Sequence, residues 1–211
     1  TLRGLIDEGR FGWIVHFESH FDRWRPEPAQ VWKEARAAGS WQDLGPHLVD
    51  QALCLFGRPQ AVTADIAVMR TGAPGPDWFH VILHYEGMRA ILHASKLAAD
   101  NTLRFAVHGT GGSWIKHGID PQEPAIVGGM RLDDAAMGLD TTPGTFTPAH
   151  APSRREVTAN RRGNYRQFWR QMVEALQDQG ANPVPASEAL VVMEVMEAGL
   201  ASARERRTIV L

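Results

Sequence analysis

An aspartate and a histidine lie four residues apart in the segment GSWQDLGPHLVDQALCLFG, which covers residues 39–57. Residues at this spacing share one face of a helix with their Cβ atoms about 6 Å apart, so Asp43 and His47 would face the same space. Pro46 fits only in the first turn of a helix, where its missing N–H removes no intrahelical hydrogen bond. The pattern therefore predicts a helix with Asp43 at or near its N-cap and His47 one turn later.

A histidine that a carboxylate orients at the start of a helix can accept a proton, donate one or hydrogen-bond a hydroxyl group. Apolar residues on the far side of the same helix would anchor it to a sheet, and these are Leu48, Ala52, Leu55 and Phe56. A purely structural interpretation stays open because D-x-x-x-H is a short pattern. In that interpretation Asp43 only caps the helix, and His47 is a polar surface residue or a hydrogen-bonded core residue.

Polar donors and flat rings in the segments around this helix could bind a hydroxylated substrate. Guanidinium and ammonium groups donate hydrogen bonds to hydroxyls, and aromatic faces can pack against a polyol. The candidate substrate-binding residues are Arg23, Trp32, Lys33 and Trp41. The alternative is that the tryptophans pack in the core and that the two charged groups are solvated.

The remaining pattern predicts an α+β fold with one large, mostly antiparallel sheet. Residues 12–24 alternate between two faces, and more strand-like runs follow at 62–70, 78–85, 89–95, 103–109, 113–118 and 208–211. Short loops between consecutive strands favour antiparallel pairing, because a parallel return needs a longer crossover. Residues 119–163 are predicted to be irregular apart from a short helix, and two amphipathic helices follow, at 164–179 and after Ser187 as N-cap. We expect the helices to pack on one face of the sheet and leave the other face open.

Histidines recur on the predicted strands, on the face opposite the apolar side chains: His16, His20, His80, His84 and His93. No HExxH motif or tight Cys/His spacing accompanies them, so the sequence predicts no metal site. A mixed polar and apolar sheet face without covering helices favours contact with another subunit, in a homodimer or a larger assembly. If histidines meet across that contact, assembly should weaken as they protonate toward pH 5–6.

Composition bounds the class of protein. The chain has 211 residues, 44% hydrophobic and 22% charged, with a formal net charge of -2, so it offers no general basic field for nucleic acid or an anionic membrane. A single cysteine, Cys54, suits a reducing cytoplasm. No apolar run is long enough to span a bilayer. The chain starts without methionine and is predicted to begin inside a helix, as a fragment would.

The segment 39–57 closely resembles the helix motif of the Gfo/Idh/MocA oxidoreductases, the glucose–fructose oxidoreductase and inositol dehydrogenase family. The resemblance continues in six shorter motifs: FDRW at 21–24, WKE at 32–34, DWFHVILHY at 77–85, ILHAS at 91–95, HGTGGSWIKHGIDPQE at 108–123 and GNY at 163–165. It covers most of the chain and points to the branch that contains scyllo-inositol dehydrogenases.

The resemblance implies a two-domain enzyme. An N-terminal Rossmann domain would bind NAD or NADP and supply a lysine, and a C-terminal α+β domain would supply the aspartate and histidine of D-x-x-x-H. Residues 1–211 resemble the second domain only, so we expect the Rossmann domain to be absent. The glycines at 109–112 lack the G-x-G-x-x-G spacing and precede a strand, and no Glu-Lys-Pro tripeptide occurs.

Carried over from the family, His47 would hydrogen-bond or deprotonate the substrate hydroxyl whose carbon loses hydride, and the family's lysine would share this task. Asp43 would orient the imidazole or hold a neighbouring hydroxyl. We therefore expect the substrate-binding and dimerisation domain of a cytoplasmic, NAD(P)-dependent sugar or polyol dehydrogenase, inactive in isolation. A non-catalytic carbohydrate-binding or assembly module is the alternative. A G-x-G-x-x-G unit and a Glu-Lys-Pro tripeptide in the upstream reading frame would favour the enzyme.

Overall fold

The structure, a computed structural model, describes residues 1–28 and 39–211. Within these ranges nine strands run in chain order as β1 (Ile14–His20), β2 (Ala61–Ala67), β3 (Trp78–Tyr85), β4 (Met88–Ser95), β5 (Leu103–Gly109), β6 (Gly112–His117), β7 (Gly144–Pro148), β8 (Glu156–Thr158) and β9 (Ile209–Val210). The described part of the chain also forms five helices: α1 (Leu2–Asp7), α2 (Gly39–Phe56), α3 (Gln122–Val127), α4 (Tyr165–Leu176) and α5 (Ala186–Glu205).

All nine strands belong to one sheet with the order β8-β7-β6-β5-β1-β4-β3-β2-β9. The pairs along this order are antiparallel except β1 and β4, which run parallel at the centre. Neighbours that are joined by short loops, such as β3 and β4, form hairpins, whereas β1 reaches β4 only after α2, β2 and β3 have intervened. The predicted α+β fold with a mostly antiparallel sheet is confirmed.

Helices α2 and α5 pack on one face of the sheet, and the core lies between them and the strands. Strand residues alternate between this core and the opposite face, as the period of two predicts. On β3, for example, Phe79, Val81 and Leu83 are fully buried, whereas His80 and His84 on the opposite face are partly exposed. Burial of each such apolar side chain contributes about 1.5–3 kcal/mol to stability. The alternation therefore fixes which side chains each face presents.

Helix α2 begins earlier than the sequence predicted. It starts at Gly39, so Asp43 lies within the helix and Pro46 is in its interior. The extra turn is held by the buried ring of Trp41 and by the backbone N–H of Ser40, which donates to a loop carbonyl, that of Pro76, at 2.6 Å. These contacts offset the intrahelical hydrogen bond that proline cannot donate. The prediction that Asp43 caps the helix was wrong.

Two strands were missed by the sequence analysis. Residues 119–163, which were expected to be irregular, contain β7 and β8, and these extend the sheet beyond β6. Both are short, and such strands give little periodic signal. Helix α5 begins at Ala186 after Pro185, so Ser187 lies inside the helix and does not cap it. Among the described helices, none combines the length and apolar character that crossing a membrane requires.

Candidate active site

Asp43 and His47 lie one turn apart on α2, and both are exposed. Within the described ranges no hydrogen bond or ion pair joins them. The imidazole of His47 packs edge-on against the ring of Phe21, with 6.0 Å between the ring centroids. Both groups are therefore reachable by a ligand that approaches this flank of the helix.

Phe21, just beyond β1, links His47 to two arginines. The guanidinium carbon of Arg23 lies 5.9 Å from the centroid of the Phe21 ring, and that of Arg104 lies 4.1 Å from it. Such stacking of a cation on an aromatic face is attractive and fixes the orientation of both groups. The structure thus brings Arg23, one of the predicted binding residues, to the side of the sheet that carries His47.

Arg104 is a buried cation that no motif in the sequence predicted as a site residue. Its guanidinium donates to the carbonyl of His20 at 2.6 Å, to Oγ of Ser19 at 3.2 Å and to Oε1 of Gln51 at 2.9 Å. Burial lowers the pKa of Arg104 to about 10, against the opposing charge of Asp120. Gln51 lies one turn after His47 on the same helix flank, and that spacing was the available signal for this pair.

A cleft of about 430 Å³ opens beside the C-terminal half of α2. Its wall includes Gln51 and Arg104, so the cleft continues the helix flank that carries Asp43 and His47. An ion pair between Lys116 Nζ and the Asp140 carboxylate, 3.0 Å apart, also lines the cleft. The arrangement offers hydrogen-bond donors and acceptors of both charges, which suits a ligand with several hydroxyl groups.

Trp41 is not part of this surface. Its side chain has 0% exposure, packs against Phe79 at 5.1 Å between ring centroids and donates its indole N–H to the carbonyl of Met196 at 3.1 Å. A buried indole with a satisfied N–H is a core residue, so the prediction that Trp41 binds substrate is corrected. Trp32 and Lys33 lie outside the described residues.

The opposite face of the sheet carries a chain of histidines and carboxylates. Glu18 accepts hydrogen bonds from His16 at 2.6 Å and from His20 at 2.7 Å. Asp22 lies 3.1 Å from Nδ1 of His20 and 3.4 Å from Nε2 of His93. Burial acts to lower the pKa of His20, but the hydrogen bonds with Asp22 and Glu18 outweigh it and raise this pKa to about 9. Burial lowers the pKa of the neighbouring His93.

The glycines at 109–112 do not form a nucleotide-binding turn. Gly109 pairs with Gly112 at the end of the antiparallel β5–β6 hairpin. Dinucleotide-binding turns instead join a strand to the N-terminus of a helix through G-x-G-x-x-G. Within residues 1–28 and 39–211 no strand–turn–helix unit of this kind is present.

Comparison with known proteins identifies a family. Residues 3–211 match the oxidoreductase family, C-terminal alpha/beta domain. The chain is 45% identical over 214 residues to the uncharacterized oxidoreductase YdgJ of Escherichia coli strain K12. It is 36% identical over 216 residues to the scyllo-inositol 2-dehydrogenase (NADP(+)) IolW of Bacillus subtilis strain 168. All of this chain is covered in both matches, but it spans only 62% and 60% of those proteins.

A solved oxidoreductase structure also matches the whole of this chain. The protein YPO2259 of Yersinia pestis superimposes with a TM-score of 0.94 at 43% identity, over 100% of this chain and 60% of that one. The family resemblance seen in the motifs is therefore confirmed across the whole chain.

Proposed function

This chain belongs to the Gfo/Idh/MocA oxidoreductases, as their C-terminal alpha/beta domain, and we propose that it binds the substrate of an NAD(P)-dependent dehydrogenase. The proposed substrate is a sugar or polyol with a secondary alcohol, such as an inositol. The activity named for the Bacillus subtilis relative, which is 36% identical, supports this class. The observation that carries the proposal is the exposed pair of Asp43 and His47 on one flank of α2.

The proposed reaction converts a secondary alcohol to a ketone, and bound NAD(P) would supply the hydride acceptor. The hydroxyl must also lose its proton, so a base within hydrogen-bond reach of its oxygen is required. We assign His47 this role or that of a hydrogen-bond partner to the same oxygen. Asp43, one turn away, would hold a neighbouring hydroxyl or orient the imidazole once substrate is bound.

The surroundings of His47 suit a polyhydroxylated ligand. Arg23 stacks on Phe21 beside the imidazole and has N–H groups to donate. Arg104 and Gln51, which both line the cleft, are fixed to each other, with 2.9 Å between Nη2 and Oε1. Groups that are locked before binding lose little conformational freedom when a ligand arrives. Arg23 is therefore proposed as a substrate-binding residue, with Gln51 and Arg104 as supports.

The cofactor would be bound mainly by a second domain. The described residues contain no strand–turn–helix unit for a dinucleotide, and the chain spans 62% and 60% of its two relatives. We therefore expect residues 1–211 alone to show no turnover of an inositol with NAD or NADP. Turnover by this piece would contradict the two-domain proposal.

The test uses the complete protein that the gene encodes, with a panel of inositols and sugars and with both cofactors. His47→Ala should reduce kcat/KM by about 100-fold or more if His47 aids proton transfer. His150→Ala is the matched control, because His150 is an exposed histidine of a loop after β7. A loss of less than about threefold for His47→Ala would assign His47 a structural role. No turnover of any alcohol would favour the alternative, a non-catalytic carbohydrate-binding or assembly module.

We also propose that the open sheet face contacts a second copy of this chain. Strands β1, β3 and β4 present partly exposed residues there, among them His80, Ile82 and Ile91. A mixed polar and apolar face of this kind is typical of subunit contacts. Replacement of Ile82 and Ile91 by aspartate should shift sedimentation toward the monomer. An unchanged sedimentation coefficient would contradict this contact.

A further inference from the structure

Three side chains on the open sheet face converge on one point: the imidazoles of His20 and His93 and the carboxylate of Asp22. We propose that they bind a divalent transition-metal cation of the Zn²⁺ class. The site lies on the sheet face opposite His47, and the inference does not depend on the dehydrogenase proposal. The sequence predicted no metal because the ligands come from neighbouring strands rather than from one short motif.

Strand pairing brings these ligands together. Strands β1 and β4 run parallel with His20 directly opposite His93. Asp22 follows His20 by two residues, and in an extended chain that spacing places both side chains on one face. One ligand atom from each of the three residues lies within 4.8 Å of the others. A single cation can therefore reach all three.

The distances from the Asp22 carboxylate to the two imidazoles are close to the separation of two ligands around a tetrahedral cation. Nδ1 of His20 is 3.1 Å from Oδ2 of Asp22, and Nε2 of His93 is 3.4 Å from Oδ1 of Asp22. Bonds from zinc to histidine nitrogen and carboxylate oxygen are about 2.0–2.1 Å, so two ligands at a tetrahedral angle lie about 3.3 Å apart. A cation bound between the three side chains would replace the hydrogen bond between His20 and Asp22.

Neighbouring groups already orient these ligands. Nε2 of His20 lies 2.7 Å from the carboxylate of Glu18, which leaves Nδ1 to face Asp22. The backbone N–H of Ser95 donates to Oδ1 of Asp22 at 2.9 Å. Nδ1 of His93 is buried, so its reachable ligand atom is Nε2. A carboxylate on the remote nitrogen of a ligand histidine fixes its tautomer and raises its basicity, as at established metal sites.

The ligand set indicates the class of metal. Two imidazoles and one carboxylate suit Zn²⁺ or Co²⁺, whereas Mg²⁺ and Ca²⁺ prefer oxygen ligands alone. The carboxylates of Asp22 and Glu18 offset the charge of a divalent cation. Three protein ligands leave a position for water, and all three come from one chain. The site is thus complete without a second subunit.

The test measures metal binding directly. Untagged, chelator-treated protein is titrated with Zn²⁺ in competition with a chromophoric chelator. We expect one equivalent per chain with a Kd of about 1 µM or tighter. Co²⁺ in place of Zn²⁺ should give the intense visible absorption bands of a tetrahedral site, and excess Zn²⁺ should abolish them.

Three variants locate the binding. Asp22→Asn keeps the oxygen that faces Ser95 but removes the charge, and it should weaken Zn²⁺ binding by about 100-fold or more. Glu18→Gln should weaken it by about 10-fold or more, because His20 loses its orienting carboxylate. His84→Asn is the control: His84 lies on β3 of the same face but bonds to Thr63 at 2.8 Å, outside the cluster. It should bind Zn²⁺ like the parent protein.

Two results would overturn the proposal. The first is the lack of saturable binding near one equivalent in the parent protein. The second is Zn²⁺ affinity within about threefold of the parent for both Asp22→Asn and Glu18→Gln, with circular dichroism spectra that show both variants folded. If Asp22→Asn fails to fold, Glu18→Gln and His20→Asn decide by the same criterion.

Discussion

The two faces of the sheet hold their histidines in opposite ways. On the helix-covered side, His47 is exposed on α2 beside the ring of Phe21, and no described carboxylate hydrogen-bonds it. On the open side, burial would lower the pKa of His20, but Asp22 and Glu18 hydrogen-bond both of its nitrogens and raise the pKa to about 9. An imidazole that no described carboxylate holds can exchange a proton with a ligand, whereas one fixed between two carboxylates holds its proton until a cation displaces it.

The charged groups of the two faces also differ, in how deeply they are buried. On the helix side, the acceptors of the buried Arg104 guanidinium among the described residues are all neutral oxygens, those of His20, Ser19 and Gln51. On the open side, the carboxylate of Glu18 is paired with two histidines and remains partly exposed. Removal of a hydrogen-bond partner lowers the free energy of unfolding more when the remaining group is buried, because water cannot replace the lost partner. Substitutions on the helix side should therefore cost more stability than those on the open side.

Trp41→Ala should have the largest effect. The ring is fully buried between α2, α5 and β3, so its removal should lower the free energy of unfolding by about 3–5 kcal/mol. Trp24→Ala is the control, because Trp24 is 54% exposed. Chemical denaturation measures the free energy of unfolding of both variants. A small loss of stability together with a raised KM in the complete protein would restore Trp41 to the substrate site.

Asp77→Asn tests a fully buried ion pair against the partly exposed pairs of the open face. Asp77 is 1% exposed and accepts hydrogen bonds from Nε of Arg70 at 2.7 Å and from the backbone of Met69. Burial acts to raise the pKa of Asp77, but these hydrogen bonds hold it below its ordinary value. Loss of one partner of a buried pair should lower the free energy of unfolding by about 3 kcal/mol at pH 7.

The sign of the pH dependence follows from the lowered pKa of Asp77. An aspartate in the unfolded chain titrates at about pH 4. The stabilisation from the Asp77 ion pair is therefore fully present above that pH and is lost as the pH falls through the folded-state pKa. The stability difference between parent and Asp77→Asn should therefore shrink as the pH falls below about 4. Urea unfolding across this range measures it. A difference that is constant with pH would contradict the pairing.

Arg104→Met should have the next largest effect. The variant keeps an apolar stem between Phe21 and Phe105 but removes the guanidinium donor of the His20 carbonyl. The amide oxygen of Gln51 loses one of its two donors and keeps the hydroxyl of Ser19, at 3.1 Å. The expected loss is about 2–3 kcal/mol in the free energy of unfolding. Arg131→Met is the matched control, since that side chain is 81% exposed. Equal stability of the two variants would remove Arg104 as a structural support.

Glu18→Gln should have the smallest effect on stability, about 1 kcal/mol. Its side chain is 26% exposed, and a glutamine can still hydrogen-bond one of the two flanking histidines, His16 and His20. Thermal unfolding without added metal measures this change. A loss as large as that of Arg104→Met would show that substitutions on the two faces of the sheet cost similar stability.

Most of the strands could be predicted from the sequence because apolar and polar residues alternate clearly along them. Strand β3 was predicted to its observed ends, 78–85, since its histidines and apolar residues occupy opposite faces. The start of α2 was misplaced because the rule for proline is local, whereas the first turn is held by the distant partners Pro76 and Met196. Strand β7 was missed because its GTFTP sequence is short and rich in turn-forming residues.

The candidate site was predictable only where its parts lie within one element. The spacing of Asp43 and His47 survives in the structure because both belong to α2. Arg104 lies on β5, and its contact with Gln51 depends on how the sheet packs under the helix. His93 joins His20 only through the register of β1 and β4. Pairings of this kind leave no pattern in a single sequence.

The central position of β1 has a consequence for the order of folding. Strands β2, β3 and β4 form one block of sequential hairpins and β5 to β8 form another, and β1 joins the two blocks by pairing with both β4 and β5. Residues 14–20 therefore wait for partners that emerge from the ribosome long after them. Both partners lie far from this strand in the sequence, so its docking closes longer loops than any hairpin of the sheet, and we expect it to be a slow step. Until it occurs, each block exposes an unpaired edge at which a nascent chain can aggregate.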